Sequence, residues 1–166
     1  MQLNYYTSKF RKHQFPITLI CDNVTNAPNI GSLFRIADAF GIEKVVFCGE
    51  HIPLGRKMTK TSRATENYVN YEVVPSALEI AQTLKSKNYQ LIALEITSES
   101  QSLHNYQLTS KQPLAIIIGD EIHGVSDELL QLCDTVVHIE MFGNNSSMNV
   151  AQATSIALYE FTKQLL

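Results

Sequence analysis

A chain of 166 residues, 45% hydrophobic and 17% charged, is long enough for one domain that buries roughly two-thirds of its unfolded surface. Its formal charge of −3 excludes nucleic-acid binding through a global basic field, so any such site has to be local. Three cysteines, Cys21, Cys48 and Cys133, with no Cys-x-x-Cys pair, argue against a disulfide framework or zinc ribbon and for a reducing, cytoplasmic compartment. No apolar run approaches the roughly eighteen residues of a membrane span, and the N-terminus lacks a signal-peptide core.

Residues 1–16 form an N-terminal extension in which Tyr5, Tyr6, Lys9, Phe10, Arg11, Lys12 and His13 mix aromatic and basic groups, suited either to RNA contact or to a loosely docked terminus. Ile17–Cys21 reads as a short buried strand. Beyond the turn-rich stretch from Asp22, residues Ile30, Leu33, Phe34, Ala37 and Phe40 recur at helical spacing, and Gly41 supplies the stop. Asn29 then opens that helix and Arg35 follows six residues on, neither belonging to the apolar stripe. Lys44–Cys48 is a second strand that completes a β-α-β unit. The segment from His51 to Thr65 has no acidic residue but carries Arg56, Lys57, Lys60 and Arg63. It is either a local phosphate-contacting patch or a surface loop with solvated charges.

Tyr68–Val73 alternates like a strand, Ser76 and Glu79 make a capping box, and Leu78–Leu84 form the helix it opens. Tyr89–Glu95 and Pro113–Ile118 are two more apolar strands, separated by the polar, turn-rich Thr97–Lys111. Strands that alternate with helices and read as continuous apolar runs predict a single α/β domain over residues 1–166, with a mainly parallel sheet flanked by helices.

After Ile118 comes Gly119-Asp120-Glu121-Ile122-His123-Gly124, two glycines bracketing two carboxylates. Glycines directly after a strand let backbone approach a ligand closely. A pyrophosphate beside Asp120 and Glu121 would be repelled, and no Gly-x-Gly-x-x-Gly or Gly-Lys-Ser/Thr sequence is present, so NAD and nucleoside triphosphates fit poorly. A phosphate-free ligand with positive charge, such as the sulfonium S-adenosylmethionine, is tolerated. Taken alone, Glu121 reads equally well as a turn carboxylate.

Strand-like Thr135–Ile139 leads into a polar loop ending at Asn149, whose spacing to Gln152 fits a helix start. A cap needs one residue, whereas this loop supplies Asn144, Asn145, Ser146, Ser147 and Asn149, an excess that marks a ligand-facing corner. The five histidines show no metal-ligand spacing. No Gly-x-Ser-x-Gly elbow supports a hydrolase built from Ser147, His123 and Asp120, and the cysteines flank apolar segments as core residues do.

Three motifs, Asn29-Ile30-Gly31-Ser32-Leu33-Phe34-Arg35-Ile36-Ala37, Gly119-Asp120-Glu121-Ile122-His123-Gly124 and Ser147-Met148-Asn149-Val150, together resemble those of the TrmH/SpoU family of S-adenosylmethionine-dependent RNA ribose 2′-O-methyltransferases, in the SPOUT class. The resemblance runs from about Pro16 to Leu166. It implies a C-terminal trefoil knot made by the loops Gly119–Gly124 and Glu140–Ser147, a homodimer, and tRNA or rRNA as substrate. It assigns catalytic roles to Asn29, Arg35, Glu121, Ser147 and Asn149, and cofactor contact to Gly119, Gly124, Ile139 and Met148. Arg56, Lys57, Lys60 and Arg63 stay as the RNA-binding candidates. Ile122 stands where a small residue is common and Met148 where leucine is usual, departures that bear on pocket shape.

Within that reading, an arginine with a pKa above about 12 is a poor base, so Arg35 is expected to anchor an RNA phosphate and orient the 2′-hydroxyl. Asn29, Ser147 and Asn149 are expected to fix the arginine and ribose, with Glu121 holding the network by charge pairing. The last helix, with Val150, Ala153, Thr154, Ala157, Leu158, Phe161 and Leu165 on one side, is expected to serve core and dimer contact together. Two rival readings stand beside this one, a non-catalytic RNA-binding protein of the same fold and a small-molecule nucleotide-binding α/β protein.

Overall fold

Seven strands, β1 (Phe15–Asp22), β2 (Ile42–Cys48), β3 (Tyr71–Val74), β4 (Gln90–Leu94), β5 (Gln101–Ser102), β6 (Leu114–Gly119) and β7 (Thr135–His138), make one sheet in the order β3-β2-β1-β6-β4-β7-β5. Every pair in it is parallel. The computed structural model describes residues 10–166, so the expectations placed on Tyr5, Tyr6 and Lys9 lie outside the described residues. Among the described residues five α-helices accompany the sheet: α1 (Ala27–Phe40), α2 (Arg56–Ser62), α3 (Ala77–Ser86), α4 (Asp127–Leu132) and α5 (Val150–Leu165).

The period of two along each strand divides the core into two layers. Ile17, Leu19 and Cys21 of β1, with Ile116 and Ile118 of β6, pack with α1 and α5 in a layer where Phe34, Phe47 and Phe161 are fully buried. Ile20, Ala115 and Ile117 instead join Ala77 and Ala81 of α3 and Leu129 of α4. With both faces covered, successive strand positions all need apolar side chains, which is why the central strands read as continuous apolar runs.

The helix after β1 starts earlier than its apolar stripe implies. Asn26, rather than Asn29, is the cap, its Oδ1 accepting from the Asn29 backbone N–H at 3.1 Å. Asn29 is thereby a residue of the first turn with its side chain released for other partners. The basic segment is also more ordered than a surface loop. Arg56–Ser62 form α2, although Gly55 supplies no side-chain cap. Tertiary packing forms this short helix: Met58 and Ser62, four apart, are buried. Gly31 of α1 lets α2 come so close that a Cβ there would meet the Met58 carbonyl oxygen at 2.5 Å and Thr61 Cβ at 2.7 Å.

Two further elements carry too little periodicity to be read in advance. Helix α4 is a turn and a half, opened by Asp127 and Glu128 beside its N-terminus, and β5 is two residues within the polar stretch before β6. At the other edge Tyr68 precedes β3 instead of belonging to it.

Candidate active site

All strands being parallel, their carboxyl ends open on one edge of the sheet, the usual place for a ligand in such folds. The segments after β4, β6 and β7 enclose there a cavity of about 600 Å³, within the range of small-molecule sites. Gly119, Gly124, Ile139 and Met148, the four expected cofactor residues, all lie in its wall, together with Glu121, Ser147 and Asn149. Asn29 and Arg35 do not line it.

The glycine loop is closed by its own backbone. The Gly124 N–H donates to the Asp120 carbonyl at 3.0 Å, and a Cβ on Gly119 would meet the carbonyl carbon of Gly124 at 2.0 Å, so no other residue fits there. Gly124 has φ +68°, and a Cβ on it would meet Glu95 Oε2 at 2.4 Å. At the tip, Asp120 Oδ1 accepts from the backbone N–H of Ile122 at 2.6 Å and of His123 at 2.7 Å, and Oδ2 lies 3.0 Å from His123 Nδ1. Burial raises the Asp120 pKa, but the His123 and Ile122 hydrogen bonds outweigh it and leave the carboxyl below its usual range.

Beside this loop, residues from three distant segments share hydrogen bonds. Asn29 Nδ2 donates to Glu121 Oε1 at 2.8 Å. Asn149 Nδ2 donates to Asn29 Oδ1 and to Glu121 Oε1, each at 3.0 Å. Asn149 Oδ1 accepts from the backbone N–H of Ala151 at 3.0 Å and of Gln152 at 3.3 Å, capping α5. Those backbone donors fix the amide orientations: the Asn149 oxygen must face them, so its nitrogen faces Asn29 and Glu121, and Asn29 must present oxygen to Asn149 and nitrogen to Glu121.

Arg35 stands apart from this triad. Six residues of α-helix carry it about 9 Å along the axis and about 240° around it from Asn29, and it is exposed. Glu121 therefore holds the network by accepting two amide N–H bonds, where charge pairing with Arg35 was expected. Ser147 is exposed at the cavity rim. The four cations Arg56, Lys57, Lys60 and Arg63 are exposed on α2 and its end, and none of them forms an ion pair among the described residues.

Glu95 is a site residue that the sequence reading missed. Standing just past β4, it accepts from the Val125 N–H at 3.0 Å through Oε2 and from the Ile96 N–H at 2.8 Å through Oε1, tying the glycine loop to the neighbouring strand. Its only sequence signal is a carboxylate directly after a buried apolar run. Asn26 was passed over as well, although an Asn two residues before a proline is an ordinary helix-start pattern.

The chemistry of the wall fits the cofactor expected from the motifs. Apolar Ile118, Ile139 and Met148 alternate with Glu95, Asp120, Glu121 and Asp127, a lining that tolerates a sulfonium and disfavours phosphate. The cysteines offer no competing nucleophile. Burial pushes the Cys48 and Cys133 thiols up to about 12, and buried Cys21 is raised as well.

The sequence profile of the SpoU rRNA Methylase family matches residues 16–159. Among curated relatives, a tRNA (guanosine(18)-2′-O)-methyltransferase of Aquifex aeolicus is 27% identical over 92% of this chain and 72% of its own length. A 23S rRNA (guanosine-2′-O-)-methyltransferase RlmB of Vibrio parahaemolyticus is 30% identical over 93% of this chain and 62% of its own length. The chain thus spans only part of the relatives it matches. Among solved structures, the SpoU methyltransferase AviRb from Streptomyces viridochromogenes in complex with the cofactor AdoMet aligns with a TM-score of 0.79 and 27% identity, over 97% of this chain and 64% of that one. A profile match over most of the chain, on a fold and cavity of this kind, leads to one conclusion: this chain belongs to the SpoU rRNA methylase family.

Proposed function

We propose that this chain is an S-adenosylmethionine-dependent methyltransferase acting on a ribose 2′-hydroxyl of RNA, a tRNA or an rRNA. The observation that carries the reading is the Asn29–Glu121–Asn149 network, which sets three oriented polar groups from three separate motifs beside a cavity with an acidic and apolar wall. A non-catalytic RNA binder has no need of that arrangement. S-adenosylmethionine, when bound, supplies the methyl group and the leaving group of an in-line displacement.

The chain's own residues align the acceptor. Gly119, Gly124, Ile139 and Met148 hold the cofactor through backbone and side-chain contact in the cavity wall. Asn29, Asn149 and Ser147 position the ribose, and Glu121 keeps both amides in place. Arg35, outside the wall, anchors an RNA phosphate with its planar fork and orients the hydroxyl, which releases its proton to solvent water as its oxygen takes the methyl group. Arg56, Lys57, Lys60 and Arg63 contact further phosphates.

The same reading takes the chain to work as a cytoplasmic homodimer with a C-terminal trefoil knot. Ile156 and Tyr159, 42% and 62% exposed on the outer side of α5, support α5 as a dimer contact, since the opposite side of that helix is already buried with Ala157, Leu158 and Phe161. No helix among the described residues is long and apolar enough to cross a membrane.

Incubation with methyl-labelled S-adenosylmethionine and total cellular RNA, followed by alkaline hydrolysis, tests the reading. A 2′-O-methyl removes the hydroxyl that alkali needs for cleavage, so label is expected in alkali-stable dinucleotides. Folded protein that leaves every RNA fraction unlabelled overturns the activity.

A further inference from the structure

We propose that Tyr68 and the turn before it form a subsite that stacks an unpaired nucleobase of the RNA, beside the phosphate-contacting cations of α2; this rests on the reading of the chain as an RNA methyltransferase. Helix α2 ends on Arg63 at φ +52°, and Ala64 follows at φ +66°. Two consecutive residues with side chains stand where left-handed backbone ordinarily selects glycine. Such strain persists only where the surroundings over-determine it, and here they do. The Arg63 N–H donates to the Thr59 carbonyl at 3.2 Å, Thr65 Oγ1 to the Ser62 carbonyl at 2.7 Å, and the Tyr68 N–H to the Thr65 carbonyl at 2.9 Å.

The turn also ties down its own carboxylate. Glu66 is the sole carboxylate between His51 and Tyr71, and it bonds the hydroxyl of the fully buried Ser62. Its charge is engaged at the base of the turn, while Arg56, Lys57, Lys60 and Arg63 are exposed.

Tyr68 is 79% exposed. Its neighbours do the packing: Val69 lies against the core, and the Tyr71 ring meets Phe34 edge-on at 4.9 Å. A single exposed aromatic needs no explanation, but one held by a strained turn at the end of a carboxylate-poor basic helix has the make-up of a single-strand RNA contact, aromatic face plus cations. Only unpaired bases offer a free face, so the subsite selects loops and bulges over duplex. The surface is continuous with Arg35. Gly31 touches α2, and Arg35, four residues on, lies one turn further along that side of α1.

The test compares wild type, Tyr68→Ala, Tyr68→Phe and Lys60→Ala in binding to unfractionated tRNA and to a fully paired RNA duplex at several salt concentrations. Tyr68→Ala is expected to weaken tRNA binding by about 5- to 150-fold and duplex binding by less than twofold, with the salt slope unchanged. Tyr68→Phe is expected to match wild type, and Lys60→Ala to weaken both RNAs and lower the salt slope by about one. Tyr68→Ala binding tRNA within twofold of wild type overturns the proposal, as does equal loss on duplex. So does a fall in oligomeric mass for Tyr68→Ala by light scattering, which makes the face a protein contact. If wild type binds and methylates RNA while Tyr68→Ala is indifferent, the subsite alone fails; if wild type neither binds nor methylates RNA, the methyltransferase reading fails with it.

Discussion

Asn149 donates through Nδ2 to Asn29 Oδ1 at 3.0 Å while its own Oδ1 caps α5. One side chain thus fastens the last helix and joins α1 to the site, and its two ends can be separated by substitution. Asn149→Asp keeps the capping oxygen but loses the donor and sets a second carboxylate against Glu121. The lost bond to a charged group is expected to cost about 1.5–3 kcal/mol of stability, and kcat is expected to fall at least tenfold as the amides lose their fixed orientation. Asn149→Ala loses the cap as well and should cost a further ~1 kcal/mol in thermal unfolding. Equal activity in Asn149→Asp and wild type would remove the network from the reaction.

The glycine loop makes a sharper stability prediction. Gly119→Ala drives a Cβ into the Gly124 carbonyl carbon at 2.0 Å, backbone that cannot yield without opening the loop. It is expected to cost about 1–3 kcal/mol or more and to abolish S-adenosylmethionine binding in calorimetry. Gly143→Ala, with nothing within 4 Å of the added Cβ, serves as the control and should leave both unfolding and binding near wild type.

Asp22 gives a pH signature. Burial raises its carboxyl pKa above the usual range, outweighing the hydrogen bonds from Ser126 and Asn23, and the charge on Asp120 adds to the rise. A folded-state pKa above the unfolded value means that the ionised group costs stability at neutral pH, and that the cost is relieved as pH falls through the folded pKa toward the unfolded one. Asp22→Asn keeps an acceptor for the Ser126 N–H, now 3.4 Å from Asp22 Oδ2, and removes the charge. Its melting temperature is expected to exceed wild type at pH 7, with the gap closing as pH is lowered into the carboxylate range. A gap independent of pH would assign the effect to packing.

The sheet was legible because burial on both faces leaves a strong local signal: residues 45–48 and 114–118 are apolar at every step, and residues 17–21 depart from that only at the buried Thr18. Helix α2 was not, because Met58 and Ser62 are buried by packing against α1, which approaches closely at Gly31, a relation between distant segments that no local period encodes. The site divides the same way. The residue types of Asn29, Glu121 and Asn149 marked them, but that Glu121 would be satisfied by two amides rather than by Arg35 depends on Asn26 taking over the cap of α1, which sets the face Asn29 presents. Glu95 carries no motif, and its role exists only once β4 lies beside the loop after β6.

Arg35 separates binding from chemistry most cleanly. It is exposed and outside the cavity wall, so Arg35→Lys should leave S-adenosylmethionine affinity within about twofold of wild type. A lysine keeps the charge but loses the planar fork, presenting a point charge where a bidentate clamp on phosphate is required. The methylation rate at saturating cofactor is then expected to fall by at least tenfold, with a rise in the KM for RNA if phosphate anchoring also contributes to ground-state binding. Retention of most activity in Arg35→Lys would show that charge alone suffices, and the orienting role would have to pass to Ser147 or to the amide pair Asn29 and Asn149.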